Sequence, residues 1–292
     1  VNLSSNQMVV WEADFYRRPL KDESGHPLWE LVICDATDTF RYSAFCPQAE
    51  ASTDWLADQL QQLFDTGQPQ PTCIKTFRPA TLSLLEAASQ TLGIPVEGTR
   101  STPALKRYLK ELAEQYPALP GYTGQSYNPI LLDRPPPLPL TDTLLGQQWR
   151  FASLPAADLV DTFTDRMIPV LKMPESLLPL NLGLASTTPI PGVVIDGGRK
   201  SLPLARWIAA VHPVSLNYVA GAPDGLILEA GLVDRWIIAT FEDPEVATAA
   251  VEYECRKQAS QGLHFLLIQP DDSGMTYTGF WLLRSDNRIT DV

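Results

Sequence analysis

The sequence predicts an α/β protein built as two mixed-sheet domains. Three observations carry that prediction. The chain has 292 residues, more than one ordinary core serves. Segments of period-two hydrophobicity alternate with amphipathic stretches of helical period, the pattern of layered α/β domains. A proline-dense linker over 117–145 then separates an N-terminal domain, 1–116, from a C-terminal domain, 146–292. With 45% hydrophobic residues, each half can bury a core. No apolar run reaches the roughly 18 residues of a membrane span, so no membrane insertion is expected.

The first strand, Val9 to Tyr16, sets Trp11, Ala13 and Phe15 on one face and Glu12, Asp14 and Tyr16 on the other. Asp22 to Gly25 supplies a turn. Leu28 to Cys34, apolar on both faces, and Phe40 to Cys46 complete a meander. A helix from Thr53 to Phe64 aligns Leu56, Leu60 and Leu63, and Gly67, Pro69 and Pro71 close it. Thr72 to Arg78 reads as a strand, Pro79 to Thr91 as a helix ended by Gly93, and IPVEGTR as a short strand. In the next helix Thr102 takes the N-cap and Pro103 the first position, over a stripe of Leu105, Tyr108, Leu109 and Leu112. Three strands followed by helix, strand, helix, strand, helix is an order that resembles the ribonuclease H-like fold. There, three antiparallel strands precede parallel crossovers.

Within 117–145, Pro117, Pro120, Pro129, Pro135, Pro136, Pro137 and Pro139 exclude a regular helix or central strand. The run at Pro135 suits a stiff spacer or a ligand for a polyproline-binding module. The C-terminal half opens with the strand QWRFASL and a helix from Ala156 to Arg166. A strand from Gly192 to Asp196 leads to a helix over Ser201 to Val211, with Leu202, Ala205 and Ile208 inward. Ser215 to Val219 is a strand, and GLILEAG with DRWIIATF forms a hairpin. Pro244 starts a helix to Ser260, and LHFLLIQ and TYTGFWLLR flank a turn at Asp271 to Gly274.

Charge narrows the function classes. The net charge is -12, and residues 1–145 hold 11 basic and 17 acidic residues, the same numbers as the remainder. Neither half is a general polyanion binder, so any nucleic-acid contact must use a local patch with aromatic or shape recognition. Cys34, Cys46, Cys73 and Cys255 lack zinc-binding spacing and read as structural thiols of a reducing compartment. The opening VNLSSNQ has neither the basic and apolar regions of a signal peptide nor the arginine bias of a transit peptide. His264, in an apolar strand, reads as a hydrogen-bonded core residue; His26 lies in a turn and His212 precedes a proline.

Several stretches match one family: WEADFYRRP, LWELVICD, YPALPGY, GQQWRFASL, IPGVVIDGGRKSLPLARW, DRWIIA, GLHFLLIQ and TGFWLL. In order, from Trp11 to Leu283, they resemble the Tab/Atab RNA-binding proteins of cyanobacteria and chloroplasts. The resemblance implies a non-catalytic RNA-binding protein that promotes translation of photosystem reaction-centre mRNA, chiefly of photosystem I. The implied partners are the mRNA 5′ leader and, with it, translation machinery or photosystem assembly factors. It implies no cofactor, and a location in cyanobacterial cytoplasm, whose counterpart in chloroplast members is the stroma. Two departures bear on phosphate affinity. The family's paired arginines after the fifth strand read here as Arg100 followed by Ser101, and Asp196, Gly197 and Gly198 precede Arg199.

Three chemistries compete for these residues. Glu12 and Asp14 share a strand face and, with Asp35, suggest a magnesium-dependent nuclease. The fourth strand brings Lys75 and Arg78 rather than further acids, so a two-metal set is incomplete. Pairing of Glu12 and Asp14 with Arg17, Lys75 or Arg78 is the simpler role, and no catalytic or metal residue is assigned. For RNA the candidate contacts are Arg17, Arg18, Lys75, Arg78, Arg100, Arg199, Lys200, Arg256 and Lys257, with Arg107 also a cation to test. Trp281 is a candidate for base stacking, or else a member of the core. The stretch IDGGRKS has two readings, backbone N–H groups and cations offered to a phosphate, or a tight turn that needs glycine. The acidic balance also suits a protein-binding assembly factor.

Overall fold

The computed structural model describes residues 9–37 and 39–285. The opening VNLSSNQ lies outside the described residues. Two compact units divide the chain between Asp133 and Arg134.

In the first unit, β1 (Val10–Lys21), β2 (Pro27–Asp35) and β3 (Arg41–Pro47) form the expected antiparallel meander. Helix α1 (Thr53–Asp65) leads to β4 (Cys73–Thr76), and α2 (Pro79–Gln90) leads to β5 (Val96–Gly98). Each of these crossovers returns the chain parallel to its neighbour, giving the order β3-β2-β1-β4-β5. Three antiparallel strands and then parallel crossovers is the arrangement expected of a ribonuclease H-like sheet. Helix α3 (Pro103–Gln115) follows.

Both faces of this sheet are covered. Trp11, Phe15, Leu31, Ile33 and Ile74 pack against Leu56, Leu60 and Leu63 of α1 and Leu85 of α2. On the other face, Val32, Cys34 and Phe77 pack against Ala104, Leu105 and Leu109 of α3. Glu12 and Asp14 therefore alternate as the sequence predicts, yet lie 3% and 0% exposed. Thr102 corrects a sequence expectation, because its hydroxyl makes no capping bond. Glu12 Oε2 accepts the Leu105 N–H at 2.8 Å instead, so a strand carboxylate 93 positions earlier in the chain caps α3. Tyr108 and Leu112 are only half-buried beside that stripe.

The proline-dense stretch is partly built into this unit. A 3-10 turn, Tyr116–Ala118, ends α3, and Leu20 then bridges to Tyr122. Gly121 lies against β1 with φ of +79°, and a Cβ there would fall 2.0 Å from the Lys21 carbonyl oxygen. Only glycine meets both demands. The Lys21 N–H donates to the Gly121 carbonyl at 2.9 Å. The chain then crosses the unit as far as Leu132, which packs beside α3.

The second unit holds two sheets. One is β10 (Pro213–Val219), β11 (Asp224–Ala230), β12 (Asp234–Phe241) and β6 (Leu138–Pro139), in that order. The other runs β7 (Gln148–Pro155), β9 (Pro189–Asp196), β13 (Leu263–Gln269), β14 (Gly279–Arg284) and β8 (Val170–Lys172). Helix α4 (Ala156–Phe163) covers one face of this second sheet, where the Phe163 and Phe280 rings stack at 4.0 Å. The opposite face meets the first sheet, α5 (Ser201–Ala210) and α6 (Pro244–Ala259) through Ile195, Leu204, Leu228, Tyr253 and Leu266. In α5 the inward residue is Leu204 rather than Leu202, which is half-buried. Lying between β9 and β14 with both faces covered, β13 buries every residue, which accounts for the unbroken LHFLLIQ run. Among the described residues no helix is long and apolar enough to cross a membrane.

Within β13, His264 is fully buried and neutral. Its Nε2 accepts the Leu216 N–H at 2.9 Å, and Nδ1–H donates to the Gly262 carbonyl at 2.8 Å. Burial, with the Lys257 charge nearby, pushes its pKa down to about 3. An unfolded chain would take up this proton near pH 6.5. Folding is thus favoured fully above about pH 6.5 and loses this contribution as pH falls toward about 3, by at most about 1.4 kcal/mol per pH unit. Chemical unfolding followed from pH 7 down to 4 should show that loss, and His264→Gln should flatten it. Parallel profiles for the two proteins would contradict the assignment.

Candidate nucleic-acid interface

Two arginines, Arg18 of β1 and Arg78, meet at Asp14. Arg78, which precedes α2, donates from Nε to Asp14 Oδ1 at 3.0 Å. Arg18 donates from Nη1 to Asp14 Oδ2 at 3.1 Å and from Nε to Glu30 Oε2 at 2.8 Å. Glu30 also accepts the Tyr116 and Ser43 hydroxyls, each at 2.6 Å. Burial alone would lower the Arg18 pKa, but Asp14, Tyr127, Tyr116 and Glu30 hold it above the ordinary arginine value. Both guanidiniums also grip the stretch after α3. Arg18 donates to the Tyr127 hydroxyl at 2.9 Å, and Arg78 donates to the Pro129 and Leu131 carbonyls at 3.0 Å each. The Arg78 guanidinium lies 3.8 Å from the Tyr16 ring centroid.

This geometry removes the convergence that a nuclease needs. Glu12 caps α3, where burial raises its pKa against the pull of the Leu105 and Ala104 N–H groups. Asp14 lies between two arginines, as the pairing with Arg78 anticipated. Asp35 closes its own turn, accepting the Phe40 N–H at 2.8 Å and the Thr37 and Thr39 hydroxyls. Burial works against the Asp35 charge, yet those bonds hold its pKa down to about 2. No cluster of three metal-ligating side chains occurs among the described residues.

The candidate RNA contacts divide by burial. Arg18 and Arg78 are 3% and 4% exposed, Lys257 3% and Trp281 2%. Protein groups surround each of these four side chains, and Trp281 takes the core place that was one of its two readings. Lys257 Nζ donates to the Leu216 carbonyl, Asn217 Oδ1 and Glu254 Oε1 at 2.7–3.0 Å, which ties α6 to β10. Burial lowers its pKa while Glu254 opposes the shift. Trp281 fills the core between β13 and α5. Lys75 is half-buried beside Glu97 at 3.8 Å, and Arg256 is paired with Glu252. Arg100 is half-buried, while Arg17 and Arg107 are exposed.

Arg199 and Lys200 are the adjacent pair that the fold turns outward. They sit in a 3-10 turn, Gly198–Lys200, that joins β9 to α5. Gly198 adopts a φ of +53°, so the turn requires glycine, as one of the two readings holds. The other reading is altered. The Gly197 and Gly198 N–H groups already donate to the Gln269 and Pro270 carbonyls at 2.8 and 2.9 Å, so side chains rather than these amides face solvent. Asp196 is neutralised by Arg150 at 2.7 Å and accepts the Gln269 amide at 2.7 Å. Beside the turn lies an open cavity of ≈ 480 Å³, bordered by Arg199, Lys200, Asp142, Leu145 and Gln147. Sequence reasoning missed Asp142 and Gln147. The available signal was the match at GQQWRFASL, which begins one residue before Gln147.

Comparison with known proteins agrees with the whole-chain pattern of motifs. The family description "RNA-binding protein Tab2/Atab2 N terminal" matches residues 10–112, and "RNA-binding protein Tab2/Atab2, C-terminal domain" matches residues 127–284. The chain belongs to the Tab2/Atab2 family of RNA-binding proteins. A chloroplastic TAB2 homolog of Zea mays is 31% identical over 279 residues, covering 94% of this chain and 70% of that protein. Its counterpart in Arabidopsis thaliana is 31% identical over 286 residues, covering 96% and 75%. Among solved structures, the catalytic core domain of BIV integrase is similar at 13% identity and a TM-score of 0.29, over 41% of this chain and 74% of that one. A likeness of that size carries no argument. In this Tab2/Atab2 member, the YPALPGY stretch has a physical role, since Tyr116 binds Glu30 and Gly121 fits against β1.

Breaking a buried ion pair from one side leaves a charge uncompensated. Arg78→Ala should cost about 3–5 kcal/mol in denaturant unfolding and open the 127–131 stretch to limited proteolysis. Arg17→Ala, at an exposed position, should stay within about 0.5 kcal/mol of wild type. Equal stability of the two variants would contradict a structural role for Arg78.

Proposed function

We propose that this protein is a non-catalytic RNA-binding regulator that promotes translation of photosystem reaction-centre mRNA, mainly that of photosystem I, by binding its 5′ leader. Membership of an RNA-binding family along both halves of the chain is the observation that carries this reading. The message class, the leader and the involvement of translation machinery or photosystem assembly factors follow from the family resemblance. Chloroplastic relatives support action in the stroma or in the equivalent cyanobacterial cytoplasm. The net charge of -12 restricts the contact to local outward cations, for which the β9–α5 turn is the leading place. The protein partners of Glu12, Asp14 and Asp35 support the absence of a nuclease role.

A second reading, a protein-binding assembly factor that reaches RNA through partners, is favoured by the same acidic balance. Crosslinking and sequencing of bound RNA from cells separates the two. The first reading expects enrichment of a photosystem leader and a direct retarded band with purified protein, weakened as salt rises. Recovery of photosystem or ribosomal proteins that survives nuclease treatment, without direct RNA binding, would replace it with the second. The transcript should remain intact on incubation with magnesium, and cleavage lost in Asp14→Asn would overturn the non-catalytic assignment.

A further inference from the structure

The cavity beside the β9–α5 turn carries more chemistry than a phosphate alone requires, and its assignment rests on the RNA-binding reading. Arg199 is exposed. Its planar fork suits a phosphate. Lys200 Nζ donates to the main-chain carbonyl of Asp142 at 2.7 Å. That bond fixes the ammonium at the cavity wall without cancelling its charge.

Asp142, an exposed acidic residue among those that border the cavity, adds a second polarity. A carboxylate only accepts hydrogen bonds and repels phosphate, so it weakens a site built for an anion alone. It suits a ligand with a hydroxyl donor close to its phosphate, which is the 2′-hydroxyl that RNA has and DNA lacks. The exposed Gln147 amide offers both a donor and an acceptor, and Leu145, 40% exposed, offers an apolar patch. A volume of ≈ 480 Å³ is ample for one nucleotide unit. We infer that this cavity seats one ribonucleotide of the bound strand, with its phosphate on Arg199 and Lys200, its 2′-hydroxyl on Asp142 and its base beside Leu145 and Gln147.

The test is fluorescence anisotropy of the full chain at about 50 mM salt. The probes are a labelled single-stranded RNA of about 12 nucleotides, the DNA of the same sequence, and uridine 5′-monophosphate as competitor. Wild type should prefer the RNA by roughly tenfold, the discrimination expected of one good hydrogen bond to a charged group. Asp142→Ala should remove that preference while leaving DNA affinity equal or higher. Arg199→Glu should weaken both strands at least about tenfold and reduce the salt slope by about one. Both positions are exposed, and unchanged circular dichroism and melting would show the variants folded. Arg199→Gln, which removes the charge without reversing it, should fall between wild type and Arg199→Glu. RNA binding that survives Asp142→Ala and Arg199→Glu unchanged would overturn the site and leave the proposed function standing. A monophosphate that binds in an Arg199-dependent way without displacing the RNA would make the cavity a free-nucleotide site and overturn the inference. Failure of wild type to bind any RNA, including the leader, would instead remove the RNA-binding reading itself.

Discussion

A buried carboxylate needs partners in place of water, and Asp14 lies between two cations. Arg18 and Arg78 take one oxygen each, and Arg18 also reaches Glu30, so two buried acids balance two buried bases. Much of the first unit is arranged by this cluster. It joins β1 to β2, positions the start of α2, receives Tyr116 from the end of α3 and binds the carbonyls of Pro129 and Leu131. A proline-rich stretch has few N–H groups for pairing into a sheet. Guanidinium donors solve that problem by binding its carbonyls, and this explains why arginines stand where a metal-using enzyme would place more acids.

The two units use positive charge in opposite ways. In the first, the arginines of the Asp14 cluster point inward, and an external phosphate would have to compete with carboxylates already bound. In the second, Lys257 is likewise internal and joins α6 to β10, but the turn before α5 presents Arg199 and Lys200 outward. Two adjacent accessible cations in one turn let an acidic chain approach a polyanion there. Such a surface trades general affinity for orientation.

The fold was largely legible in the sequence, because burial patterns act locally. The Leu56, Leu60 and Leu63 spacing, the prolines at the starts of α2, α3 and α6, and the glycine-bearing turns each reported a nearby physical demand. The candidate site was much less legible. Arg78 was legible only as one of several partners for Asp14, which lies 64 positions away. For Arg18, whose partners Asp14 and Glu30 are 4 and 12 positions off, the bond to Tyr127 spans 109 positions. Thr102 read as a cap because the competing acceptor, Glu12, comes from another strand. Short strands such as β6 and β8 have too few residues to show a period. The alternation on β1 was read correctly, but whether its polar face met water depended on α3 and on a stretch that local propensity marks only as irregular.

Those short strands affect how the molecule meets copies of itself. Each sheet ends on one side in a stub: β5 and β8 have three residues each and β6 has two, one of them Pro139. An edge strand is a template for intermolecular pairing in proportion to its free N–H and C=O groups, and a stub has few to offer. On these sides a colliding chain finds too little backbone to extend the sheet, while the excess negative charge opposes close approach. The half-built strands that escape detection in the sequence therefore help to keep three open sheets from joining into larger ones.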